Sequence, residues 1–152
     1  MYLTIYRADG ATLDRLAADN TKASDWADDA PASLDIDKGW DLLGRFLADN
    51  DAAGLFDWAV PLGDETTDLG YGPPLTIRDA ELTRLAERLE ACTADAARAF
   101  LTSPATTADP PYPFFSGLDD DAEPWLLDML TSLRAFVRDT VAANDGLLLI
   151  LC

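Results

Sequence analysis

The chain has 152 residues, 49% of them hydrophobic, which is enough to bury one sizeable core and too short for two ordinary domains. Its 28 acidic residues against 11 basic ones leave a net charge of −17, which repels a phosphate backbone and excludes nucleic acid as a ligand across most of the surface. Histidine is absent, so a Ser-His or Cys-His nucleophile pair, an imidazole base and a His-ligated zinc are excluded as well.

The acidic set is lopsided, 23 Asp to 5 Glu, and only two of the basic residues are lysines, Lys22 and Lys38. Cys92 and Cys152 are too few for a disulfide framework, and no charged leader with an apolar core precedes Met1-Tyr-Leu-Thr-Ile-Tyr6. A cytoplasmic setting is expected. The longest apolar run, Leu147 to Cys152, is about a third of what a membrane span needs, so no membrane is implied.

In chain order, Tyr2 to Tyr6 reads as a strand closed by the turn Asp9-Gly10. Thr12 is placed to cap a short helix with Leu13, Leu16 and Ala17 as its apolar stripe, and Lys22 to Asp29 adds a helical turn before Pro31. Leu34 and Ile36 alternate with Asp35 and Asp37 at the period of a strand. Trp40, Leu43, Phe46 and Leu47 then follow at helical spacing. Asp37 is expected to cap that central helix, with Lys38 in its first turn. After the polar break Asp49-Asn-Asp-Ala-Ala-Gly54, the apolar run Leu55 to Leu62 suits a buried strand.

Two glycines and two prolines make Asp68-Leu-Gly-Tyr-Gly-Pro-Pro-Leu-Thr76 a turn-bearing segment. Thr76 with Asp79 resembles a capping box for a helix running to about Ala91, and Thr93 caps a second helix, Ala94 to Leu101. Ser103 to Gly117 is a proline-rich loop carrying aromatics. Asp119 to Asp121 precede a long helix that contains Trp125, Met129, Leu133 and Val137 and ends at Asn144-Asp-Gly146. Leu147 to Leu151 lacks polar alternation, the pattern of a strand buried on both faces in the middle of a helix-covered sheet.

Several motifs invite chemistry and are better read as structure. Asp35-x-Asp37 matches an acidic pair that holds a nucleotide-bound metal, yet the same spacing in an extended segment gives one cap and one solvated edge. Asp49-x-Asp51-x-x-Gly54 fails as a calcium loop because Ala53 and Val60 stand where oxygen ligands are required. In Gly70-x-Gly72 the following Pro73 and Pro74 remove donors that a phosphate cradle needs, which leaves a tight turn. Asp119 to Asp121 serve a helix dipole and the solvent more readily than a metal. Neither cysteine has a cationic sequence neighbour to activate it. No metal, cofactor or catalytic residue is assigned.

The run Leu34-Asp-Ile-Asp-Lys-Gly-Trp40, the turn Asp68-Leu-Gly-Tyr-Gly-Pro73, the helix entry at Leu75-Thr76 and the ending Ala143-Asn-Asp-Gly-Leu-Leu-Leu-Ile-Leu151 resemble the YfbM-like bacterial proteins, a domain family of unknown function. The resemblance spans nearly the whole chain. It implies one domain over residues 1–152, a small soluble bacterial protein with a mixed sheet and flanking helices, and it supplies no catalytic residues. The expected fold is α/β, bordering on α+β, with the C-terminal strand central.

If the Tyr71 turn and the Asp64-Glu65 loop share a sheet end with the start of the central helix, then Asp37, Lys38, Trp40, Glu65 and Tyr71 line one cleft. The plain alternative pairs Lys38 with a carboxylate and buries Trp40. Two function classes follow. One is a binding module, of inhibitor or immunity type, that engages a basic protein partner as a monomer or weak homodimer. The other is a small histidine-free enzyme using carboxylates with Lys38 or Tyr71 as acid or base.

Overall fold

Apolar residues at every second position start the chain and a continuous apolar run ends it, and these two segments form the middle of the sheet. The computed structural model describes residues 1–51 and 53–152, so Ala52 in the polar break lies outside the described residues. The strands are β1 (Leu3–Ala8), β2 (Ser33–Asp37), β3 (Val60–Pro61), β4 (Leu75–Ile77) and β5 (Gly146–Leu151). Their order is β2-β1-β5-β4-β3, with β5 in the centre as expected. Each described pairing is antiparallel, which places the α/β domain on the α+β side of its expected border, without the parallel pairs of a mixed sheet.

Antiparallel register fixes the faces. Leu3 lies opposite Leu151, and Ile5 and Leu75 flank Leu149 from either side. These residues face the larger helical layer, made of α3 (Trp40–Asp51), α4 (Asp79–Ala91), α5 (Ala94–Leu101) and α7 (Ala122–Ala142). On the other face Leu148 and Ile150 pack with Leu13, Leu16 and Ala23 from the small layer of α1 (Gly10–Ala18) and α2 (Ala23–Asp28). Leu147 to Ile150 are buried, because neighbouring strands and both layers cover them. Among the described residues no helix is long and apolar enough to cross a membrane.

Local chemistry moves several boundaries from their expected places. Asp9, not Thr12, caps α1: its backbone is extended, so its carboxylate reaches forward over the first turn to accept the Thr12 N–H at 2.7 Å. The first bond of α3 runs from the Leu43 N–H to the Gly39 carbonyl at 2.9 Å, so Asp37 lies outside the helix and Lys38 in the turn before it. Asp37 instead takes a left-handed backbone, φ 50°, and its N–H donates to the Asp35 carboxylate at 2.7 Å.

The run Leu55 to Leu62 is not a strand. Leu55–Trp58 is a 3-10 turn entered through Gly54, whose N–H donates to Asp57 at 2.6 Å, and only Val60–Pro61 pair at the exposed sheet edge. Thr76 does not cap α4 but belongs to β4, where its buried hydroxyl donates to the Leu147 carbonyl at 2.8 Å. Thr93 does cap α5, accepting the Ala96 N–H at 3.1 Å. Within the proline-rich loop, Ser103 caps a further short helix, α6 (Pro104–Ala108).

Candidate functional site

At the sheet end where β1 begins and β5 finishes, Leu3, Leu75, Leu149 and Leu151 form the floor of a cleft of about 310 Å³. Trp40, the first residue of α3, walls it together with Phe56 of the 3-10 turn. Their rings meet edge to face with centroids 5.9 Å apart, a favoured aromatic geometry. Trp40 is therefore half-buried, with its apolar body in the core and part of its surface on the cleft.

The rim is the Asp68–Pro73 turn. Gly70 and Gly72 have φ of 122° and 102°, conformations that glycine adopts without strain. Their N–H groups donate to the Asp68 carboxylate at 2.8 and 3.0 Å. Those bonds, Gly72's foremost, hold the Asp68 carboxyl below its ordinary pKa. The Leu69 N–H closes the turn on the Gly72 carbonyl at 3.0 Å. Tyr71 is thereby carried at the tip, 54% exposed, with one side on the cleft.

The aromatic surface continues past the cleft. Tyr112 lies 6.0 Å from Trp40 between centroids, and Phe115 lies 5.3 Å from Tyr112. Asp41 fixes this loop to α3 by accepting the Tyr112 N–H at 2.9 Å. Arg45 then bridges Asp41 at 3.1 Å and Asp109 at 2.8 Å, and its guanidinium is held above its ordinary pKa by Asp109 and Asp41. Phe115 is left 73% exposed on a braced segment.

Lys38 stands at the border of this surface. Its ammonium is 5.2 Å from the centroid of the Tyr2 ring, and Tyr2 is 46% exposed between Met1 and Leu3, both of which line the cleft. Hydrogen bonding and charge interaction with the Tyr2 side chain raise the Lys38 pKa, and Tyr112 and Asp37 add smaller contributions. Among the described residues Lys22 forms an ion pair, with Asp19 at 2.9 Å, whereas Lys38 forms none.

Of the five residues expected in one cleft, Trp40 and Tyr71 line it, Lys38 borders it, and Asp37 is exposed beside Lys38. Glu65 is not brought in. Its loop leaves the sheet at the right end, since the Leu62 N–H bonds the Pro74 carbonyl at 2.8 Å. The buried Asn20 amide then draws that loop toward the α1 layer by donating to the Leu62 and Asp64 carbonyls at 2.6 and 2.8 Å. Sequence reasoning missed Tyr2, Phe56, Tyr112 and Phe115. The only signal for the last two was the unusual aromatic content of a proline-rich loop.

A larger concavity of about 610 Å³ lies between α5, the Gly117 bend and the start of α7. Its cation is already neutralised, as Arg98 bonds Glu123 at 2.6 Å and Asp95 at 3.0 Å. Among the described residues no three His, Cys, Asp or Glu side chains converge on a metal position. Cys92 is buried, and that burial raises its thiol pKa, so it packs as a small apolar group.

Residues 1–150 match the family model described as a domain of unknown function, DUF1877. The chain belongs to the DUF1877 family. A solved structure of a protein of unknown function, YfbM from Escherichia coli, has a TM-score of 0.72 over 100% of both chains at 20% identity, which shows a shared fold. No curated protein matches this DUF1877 chain.

Proposed function

We propose that this DUF1877 protein is an interaction module that engages a basic protein partner, with the aromatic surface around Trp40 as its anchor. The observation that carries this reading is the continuous run Phe56–Trp40–Tyr112–Phe115, flanked by exposed Tyr2 and Tyr71. Exposed aromatics on a braced scaffold are the side chains that dominate protein interfaces, since they bury much apolar area at little entropic cost. The net charge of −17 favours a cationic partner and steers its approach.

The enzyme alternative has less support. A lysine base working near neutral pH needs its pKa lowered by burial or a neighbouring cation, and Lys38 is shifted the other way by Tyr2. The test uses the protein as bait in a cell extract beside a Phe115→Ser/Tyr112→Ala variant, with captured proteins identified by mass spectrometry. The expected result is a basic protein held by the natural chain and lost from the variant. A partner retained equally by both would remove the aromatic surface from the interface.

A further inference from the structure

We propose that the Trp40 cleft captures the apolar C-terminal residue of a partner polypeptide, with the terminal carboxylate seated on the Lys38 ammonium. This rests on the interaction-module reading and names what the partner presents. The cleft supplies the apolar half of the recognition: its floor of leucines and its Trp40 and Phe56 walls offer contact area without a buried charge. Its volume of about 310 Å³ is at the small end of ligand sites, the size for one or two side chains rather than a folded element.

Lys38 supplies the polar half. Most basic side chains, Arg7, Lys22, Arg45 and Arg98 among them, have a carboxylate within 4.0 Å; among the described residues Arg15 and Lys38 do not, and Arg15 lies on a different concavity, beside Trp26. In so acidic a chain, a lysine with no such partner among the described residues leaves its charge for something else. It stays protonated, and it lies against Tyr2, whose chain neighbours Met1 and Leu3 line the cleft.

A chain end matches both halves with one residue, because it carries an apolar side chain and a carboxylate on the same Cα. An internal Asp or Glu brings the carboxylate without the apolar group. Preceding residues have a path over Tyr112 and Phe115, where basic side chains meet an acidic surface and aromatic faces.

The experiment is calorimetric titration with a synthetic octapeptide bearing Lys and Arg upstream of a C-terminal leucine, as free acid and as C-terminal amide. The free acid should bind about tenfold or more tightly than the amide, since a charge-assisted hydrogen bond is lost in the latter. Lys38→Gln should bring the acid down to the level of the amide without altering the fold, as Lys38 is outside the core. Equal affinity for acid and amide, indifference to Lys38→Gln, or no binding of either peptide would overturn the proposal. Octanoate binding as tightly as the peptide would overturn it too, by showing a site for small acids. A basic partner still captured by the Lys38→Gln protein through its aromatic surface would leave the interaction-module reading intact while removing chain-end capture.

Discussion

The indole of Trp40 and the ring of Tyr112 stand 6.0 Å apart, tilted by 33°, across the gap between α3 and the loop that leads into α7. Trp40 thus belongs to the core and to the surface at once. Complete burial of a tryptophan makes its truncation cost about 3–5 kcal/mol, but a half-buried ring loses less contact area. Trp40→Ala should cost about 2 kcal/mol by chemical denaturation and lower peptide affinity as well. A cost under about 0.5 kcal/mol, the range of ordinary surface substitutions, would show that the ring contributes nothing to the core.

Gly39 joins β2 to α3 directly under α7. A Cβ there would fall on the Met129 sulfur and 2.7 Å from its methyl carbon, with the Ile36 carbonyl at 3.2 Å. Gly39→Ala should therefore destabilise by about 1 kcal/mol, the low end of overpacking, because the flexible Met129 thioether can swing aside while the Ile36 carbonyl has to give only slightly. Shortening the neighbour in Gly39→Ala/Met129→Ala should cost less than the two single changes added together. Strict additivity in that double-mutant cycle would locate the strain elsewhere.

Helices α3, α4, α5 and α7 were legible in the sequence because each buries a stripe at three-and-four spacing, whereas five-residue α6 has none, and β5 was legible because five apolar residues in a row need cover on both faces. The short elements were not. Three-residue β4 shows no periodicity, and Thr76-x-x-Asp79 imitates a capping box although Thr76 bonds a neighbouring strand. Phe56 and Trp58 look like strand residues until the Gly54–Asp57 bond closes a 3-10 turn. The site was half legible: Trp40 and Tyr71 belong to recognisable local motifs. Tyr2 and Tyr112 join it only through strand pairing and the Asp41–Arg45–Asp109 bracing, which no local pattern announces.

Strand order predicts a gradient of amide exchange. The amides of Leu147 to Ile150 should be among the slowest in the chain, since β5 pairs on both sides and lies beneath both layers. Those of Ser33 to Asp37 at the sheet edge should exchange faster. Rapid exchange across 147–150 would contradict the central placement of β5.

The Tyr71 turn should loosen in acid. The Asp68 pKa is depressed in the folded protein by the Gly72 and Gly70 amides. Its contribution is therefore fully present above the unfolded value, about 3.9, and is lost as pH falls through the lower folded value. The Gly70 and Gly72 amide resonances should move toward random-coil positions below about pH 4. In Asp68→Asn that acid transition should be missing, whereas its persistence would assign the change to another carboxylate.

The acidic surface has its own test in kinetics. Asp119, Asp120 and Asp121 are exposed at the entry to α7, a few residues past Phe115, so their field overlaps the approach to the aromatic surface. Long-range attraction acts mainly on encounter, and salt screens it to about 8 Å at physiological ionic strength. Replacing the three by Asn should slow association with a basic partner and flatten its salt dependence, while dissociation changes little. Stability should shift by no more than about 1 kcal/mol, because exposed charges contribute little to folding. Phe115→Ser should do the reverse, raising the dissociation rate and leaving the salt slope of association in place, since a buried anchor is lost and the field is untouched. Stopped-flow association against salt for the natural chain and the two variants separates the two contributions. An association rate indifferent to both salt and the triple substitution would show that the charge plays no part in finding the partner.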